Sequence, residues 1–328
     1  MNEIRRNKRV VNIMPGLDMS TGDVKAFPIG SALIAGNWGT GADMLFNSIM
    51  THLVMFNSPK DVSIEYFTDT RISVWLCENR KIPHFSDQCY DVDKMWERIK
   101  NICIILADIE AGNVGDEEYH GTNAVMLKHQ PTVLAIDGLD RMIMYNDMGQ
   151  FHSRIRMIEY LLDKGPKYGV YLIAKVDDVL RIEQFARLFM MGMTTYTDEH
   201  ASDIVLGCNL AHTNIREYEN TFWLHDRRTP DTFQKMSIKY YPETFMSKLT
   251  KLYSNNKKIT TEYYSKLIDL LESGKYSMQE CGIMHYAIEL AEDFPNVDSK
   301  VLEDNWDRFS KMSCEELKEA YIECVTRR

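Results

Sequence analysis

Positive charge is scarce in this chain. Its 328 residues hold 38 Lys and Arg against 48 Asp and Glu, a formal net charge of −10. That balance excludes a global basic field for wrapping nucleic acid and leaves a local basic face as the one route to DNA. The compact basic run Arg5, Arg6, Lys8 and Arg9 reads either as a solvated tail or as a binding arm. Long apolar runs are also missing. None reaches the roughly 18–20 residues of a membrane span, and the first ten residues are too polar for a signal peptide. We therefore expect a cytoplasmic protein, held at any membrane complex by a partner. The seven cysteines are dispersed without a CxxC pair, as reduced cytosolic thiols are. Cys208/His212 and Cys281/His285 are each four apart, but two ligands do not close a zinc site, so no metal is expected. Internal repeats and low-complexity tracts are absent.

What is present is an alternation of strand and helix patterns. The run ALIAG (32–36) leads into a glycine loop. Then ADMLFNSIMTHLVMF places Met44, Leu45, Ile49, Leu53 and Val54 at helical spacing. Pro59 marks a turn before the strand VSIEYF. A long amphipathic helix starts near Asp91, and 112–130 reads as an exposed loop. The apolar strand PTVLAID ends in Asp137. Residues 150–165 form a helix that Gly165 is expected to close. YGVYLIAKV, MGMTTYT, HASDIVLG, TFWLHD and FQKMSIKYY continue the alternation. HDRRTPDTF reads as a hairpin loop, and FMMGM (189–193) as core at a sheet edge. Such βα units with continuous apolar strands imply an α/β fold with a mostly parallel, doubly wound sheet. After Pro242 only helical patterns remain, with capping boxes at Ser277–Glu280 and Ser313–Glu316. The expected organisation is a basic arm (1–14), an α/β domain (15–242) and a small all-helical C-terminal domain or tail (243–328).

The loop GNWGTGAD (36–43) carries the spacing of a phosphate-binding loop, G-x-x-x-x-G-K-[ST], at Gly36 and Gly41, with Gly39 between them. It follows a strand and opens a helix, so a nest of backbone amides is expected. Where the motif has lysine this chain has Ala42, and where it has a magnesium-binding hydroxyl it has Asp43. The loop is thereby two charge units more negative than the motif. Each unit disfavours a facing phosphate charge by about 2–3 kcal/mol at about 5–7 Å and an effective dielectric of about 20. Asp43 in the first helical turn is favoured by the helix dipole and reads as a resident anion. A plain glycine-rich turn before an acid-capped helix is the alternative. Trp38 inside the loop reads as a plug or protein contact, or as a surface for stacking a base.

Taken together, GLDMSTGDVKAFPIGSALIAGNWGTGAD, NSPKDVSIEYF, KIPHFSD, PTVLAIDGLDRMI, YGVYLIAKV and SDIVLG resemble, in that order, the FtsK/SpoIIIE family of RecA-like P-loop ATPases. That family includes EssC-type and conjugative coupling ATPases. The likeness spans residues 15–242 and implies the RecA-like P-loop NTPase fold. On the family's pattern, Gly36, Trp38, Gly39, Thr40, Gly41, Asp137 and Lys175 fall on a vestigial nucleotide site. Asp137 matches the Walker B aspartate. Gly138 stands where active members have the acid that polarises water. Ala174-Lys175-Val176 stands where Thr-Gln is usual. Asp140 does not replace the missing acid. Lys175 reads as a substitute cation or as a strand-end surface residue, and Asp137 as a group bonded to Ser31 or Thr40.

Ala42, Asp43 and Gly138 together remove the clamp, the metal ligand and the base of phosphoryl transfer. The resemblance therefore implies a catalytically degenerate pseudo-ATPase, with no catalytic residues and no cofactor. Its expected role is a structural or docking subunit of a DNA- or protein-translocation machine, self-associated in a ring or paired with an active relative. The alternatives are an unconventional NTP-dependent translocase using ATP and magnesium, with a cation from Lys175 or a neighbouring subunit, and a DNA-binding or packaging protein. Arg181, Arg187, Arg227 and Arg228 are candidates for salt bridges between subunits.

Overall fold

The structure is a computed structural model that describes residues 11–22, 25–37, 39–57, 59, 61–70, 82–112, 131–145, 149–213, 220–229 and 232–239, with scattered positions between 305 and 320. The chain divides into two units, Met1–Glu243 and Thr244–Arg328. In the second unit, helix is assigned at 305, 307–309, 316–317 and 320, and Phe309 and Leu317 are buried. The basic run 5–9, the loop 113–130, Trp38 and the capping residues Ser277, Glu280 and Ser313 lie outside the described residues.

In the first unit the strands are β1 (Asn12–Ile13), β2 (Leu17–Asp18), β3 (Phe27–Pro28), β4 (Ala32–Ala35), β5 (Ser63–Thr68), β6 (Phe85–Cys89), β7 (Thr132–Asp137), β8 (Val170–Val176), β9 (Met191–Thr194), β10 (Thr221–Asp226) and β11 (Phe233–Ser237). Among the described residues, nine of them form one sheet in the order β2-β11-β10-β9-β4-β8-β7-β5-β6. The strands from β9 to β6 are parallel, and β10, β11 and β2 complete the sheet antiparallel. The expected mostly parallel α/β architecture is therefore present. Its central strands are apolar on both faces because helices cover both.

Among the described residues of this unit the α-helices are α1 (Ala42–Phe56), α2 (Val92–Glu110), α3 (Leu139–Ile143), α4 (Phe151–Lys164), α5 (Glu183–Ala186), α6 (Glu199–Leu206) and α7 (Leu210–Thr213). Side chains alternate along a strand. Leu33, Leu134, Ile136, Leu172 and Ala174 therefore join one core with Ile99, Ile102, Ile158 and Leu161 of α2 and α4. The intervening positions face the other layer, where α1 packs against β4 and β8. Lys175 has the parity of Ile173, so it points toward α1. Local chemistry sets the helix ends. Asp91 caps α2 by accepting from the amides of Asp93 and Lys94 at 3.1 and 3.2 Å. Asp198 caps α6 through Ala201 at 2.9 Å.

Three details differ from the sequence reading. Gly165 caps α4, as expected, but not as a left-handed stop: its φ is −51°, the chain runs on through a 3-10 turn, and the left-handed residue is Gly169 at φ 78°. A side chain at 165 would instead meet the Val170 carbonyl oxygen at 2.7 Å, which explains glycine there. The FMMGM segment is core, with Phe189, Met191 and Met193 fully buried, but β9 lies inside the sheet and not at its edge. Val11, Ile13 and Met14 are buried, so these residues of the 1–14 segment pack within the first unit.

Two buried histidines tie outlying segments to the core. A ring nitrogen of His52 on α1 bonds the Met14 carbonyl, and His84 Nε2 bonds the Asn57 carbonyl at 2.7 Å. Burial holds both at a pKa of about 4, below the ordinary 6.5, against the opposing pull of those carbonyls; Lys239 lowers His52 a little further. The folded chain thus resists protons that the unfolded chain accepts. Stability is full above about pH 6.5 and falls toward pH 4, by about 1.4 kcal/mol per pH unit for each histidine within that window. Urea midpoints taken at pH 7.5 and 5.5 test this: the midpoint should drop at pH 5.5, and His84→Gln should flatten the dependence.

Candidate functional site

The glycine loop sits at the C-terminal end of β4, the usual ligand side of a parallel sheet. It is closed on itself. Thr40 donates its amide (3.0 Å) and its hydroxyl (2.6 Å) to the Asn37 carbonyl, and its Oγ1 lies 2.7 Å from Thr195 Oγ1. The Asn37 amide donates to the Tyr196 carbonyl at 2.9 Å, and Thr197 Oγ1 donates to Asn37 Oδ1 at 3.3 Å. At Gly36 an added Cβ would fall 1.9 Å from Thr195 Oγ1, so only glycine allows this clamp between the loop and the segment after β9. Gly39 and Gly41 both have positive φ, and Gly41 opens α1 directly.

Ala42 is buried, and Asp43 follows in the first turn of α1 with its side chain 65% exposed. Its carboxylate is ion-paired with Lys175 Nζ. Lys175 is not a surface residue: it is 5% exposed and reaches from β8 into the space beside the loop. Its Nζ also lies 2.9 Å from Asp137 Oδ1 and 3.6 Å from Asp177 Oδ1. Burial pulls the Lys175 pKa down, but Asp137 and Asp43 outweigh it, and the net direction is upward, so the ammonium stays charged. Asp137 bonds neither Ser31 nor Thr40, contrary to expectation. Its Oδ2 accepts from Tyr66 at 3.3 Å, while Ser31 Oγ accepts from the Leu172 amide.

The position after Asp137 holds a second surprise. Gly138 has φ 96°, a conformation that disfavours any side chain, and an added Cβ would lie 2.1 Å from the Arg141 guanidinium. Arg141 is fixed there by a bidentate pair with Asp69 (2.7 and 2.8 Å) and by Asp177. The hydrogen bonds that Arg141 donates to Asp69 raise its pKa more than burial lowers it. Asp140, 1% exposed, lies close enough to Arg141 for the two charges to attract. It accepts from the amides of Asp177 and Asp178, both at 3.2 Å, and burial pushes its pKa up. The crevice therefore carries a chain of alternating charges, Asp43, Lys175, Asp137 and Asp177, then Arg141 and Asp69. Among the described residues, four carboxylates against two cations leave this network net negative.

Sequence reasoning found Asp43, Asp137 and Lys175 but missed Arg141, Asp69, Asp177 and Thr195. A glycine at 138 with an arginine three residues on is the local signal for Arg141. The candidate arginines all have partners within the chain. Arg181 pairs with Asp178 and Arg187 with Asp203; Arg227 donates to the Phe189 and Val205 carbonyls; Arg228 pairs with Asp226 and donates to the Pro28 carbonyl. Among the described residues no His, Cys, Asp and Glu group fits a metal ion, and no helix is long and apolar enough to cross a membrane.

No protein-family model and no curated protein matches the sequence. Solved structures do match. The chain is similar to the cytoplasmic domain of the type VII secretion ATPase EccC of Thermomonospora curvata at 12% identity and a TM-score of 0.58, over 77% of this chain and 32% of that one. It is similar to the pCW3 conjugation coupling protein TcpA, in a monomer form with ATPγS, at 17% identity and a TM-score of 0.54, over 77% and 73% of the two chains. For EssC (ATPases 2 and 3) of Geobacillus thermodenitrificans the values are 12%, 0.52, 79% and 49%. This chain thus spans about a third of the EccC chain and half of the EssC chain. At such identities the likeness establishes the fold alone: this chain has the mixed α/β fold, with a large, mostly parallel sheet, of these ATPase and coupling-protein structures, as expected.

Because Gly138 is left-handed and faces a pinned guanidinium, restoring an acid there should fail structurally. Gly138→Ala should cost about 1–2 kcal/mol in denaturant unfolding, and Gly138→Glu at least as much. Either variant as stable as the unaltered chain would contradict this geometry.

Proposed function

We propose that this chain is a non-hydrolysing FtsK/SpoIIIE-like module, a structural or docking subunit of a DNA- or protein-translocation machine. The observation that carries the reading is Lys175, whose ammonium lies between Asp43 and Asp137 beside the loop. A triphosphate with its metal needs a free cation, a neutral metal ligand and an acid poised over water. Here the cation is already neutralised and a carboxylate stands in the first turn of α1. A guanidinium fills the space beside Gly138. The residues present do not fit a magnesium triphosphate.

The translocation context comes from the similar structures, one a secretion ATPase and one a conjugation coupling protein. Partners of the proposed kind are copies of this chain in a ring or an active relative, with DNA as a further candidate. Without nucleotide to bridge subunits, a monomer or mixed assembly is favoured over a self-sufficient hexamer. Recruitment to a membrane complex then falls to a partner protein. The buried position of Lys175 also supports a second reading, an unconventional NTPase that takes its cation from β8. Its pairing with two carboxylates weighs against that.

Calorimetric titration with ATP and magnesium, followed by phosphate release with and without DNA, decides between them. No saturable heat and no turnover are expected. Turnover that disappears in Lys175→Met would establish the second reading instead.

A further inference from the structure

The crevice differs from a dead pocket in one respect: it retains a cation. Lys175 is 5% exposed and therefore fixed at depth, beside the start of a helix of 15 residues. Its three carboxylate neighbours are not equivalent. Asp137 is 17% exposed and is also held by Tyr66. Asp177 is more distant, at 3.6 Å, and is engaged by Arg141. Asp43 stands at the rim, 65% exposed, on the helical turn whose amides would face an incoming anion.

We propose that the Asp43–Lys175 pair is an autoinhibitory contact, in which a built-in carboxylate occupies the cation that would otherwise hold a polyphosphate. The phosphate-binding lysine has in effect moved from the loop to the neighbouring strand, and Asp43 covers it. The element that covers this cation from the rim is then a single charge, and a metal-free polyphosphate can reach Lys175 without a change at Ala42 or in the shape of the loop. This inference rests on the reading that the unaltered crevice rejects triphosphate, and it adds what does the rejecting.

The test compares full-length Asp43→Asn, Asp43→Glu and the unaltered chain, titrated with inorganic tripolyphosphate without metal. Removing the charge should tighten binding about tenfold or more, since the anion then meets an ammonium shared only with Asp137 and Asp177 and one fewer repelling carboxylate. Asp43→Glu keeps the carboxylate and should show no gain. The gain should persist in Asp43→Asn with Lys175→Arg and vanish in Asp43→Asn with Lys175→Gln. Equal affinities for Asp43→Asn, Asp43→Glu and the unaltered chain would overturn the proposal, and so would a gain that survives Lys175→Gln. Tight binding of magnesium ATP by the unaltered chain is a separate result: it overturns the proposed function whatever Asp43→Asn does.

Discussion

A buried ammonium organises this crevice. Lysine loses hydration when it enters a protein interior, and it stays charged there only if carboxylates replace the lost water. Lys175 meets that condition through Asp43 and Asp137, which come from α1 and the end of β7. One cation thus joins three neighbouring elements across the top of the sheet. In an active P-loop enzyme a bound nucleotide and its metal draw loop, strand and helix together. Here side chains make that link, through Lys175 and its carboxylate partners.

A parallel logic governs the next position. Gly138 lets the backbone turn left-handed and leaves open the volume that Arg141 fills. Asp69 and Asp177 hold that guanidinium, and Asp177 also approaches Lys175. The two cations therefore share one carboxylate and form a connected network. Buried and half-buried charges of this kind are coupled: removing one leaves its partners unsatisfied, which costs more than the pair itself contributes. On the proposed reading, Ala42, Asp43, Gly138 and Lys175 make physical sense as one set, with Lys175 on β8 bringing a charge that the loop does not carry at Ala42.

The fold was legible in the sequence because its signals are local. Continuous apolar strands, helical spacing in α1 and α2 and the glycine loop each report on their own neighbours. The position of Gly165 at the end of α4 was legible but its conformation was not, because a glycine after a helix has two uses, left-handed stop and close packing, and only the backbone distinguishes them. The site was half legible. Asp43 and Asp137 follow from the loop and the strand end. The destination of Lys175 does not, because it depends on β8 lying between β4 and β7, which brings residues 43 and 175 together across 132 positions of sequence. Arg141 was hidden for a related reason: an absent side chain reads as a loss until the group that fills its place is seen.

The most direct measurement is an experimentally determined structure of the chain grown with an excess of magnesium and a non-hydrolysable ATP analogue. The account expects Lys175 Nζ against Asp43 and Asp137, Arg141 beside Gly138 and no analogue in the crevice. An ordered triphosphate with its metal on the amides of residues 39–43, and Lys175 turned to it from Asp43, would contradict the account.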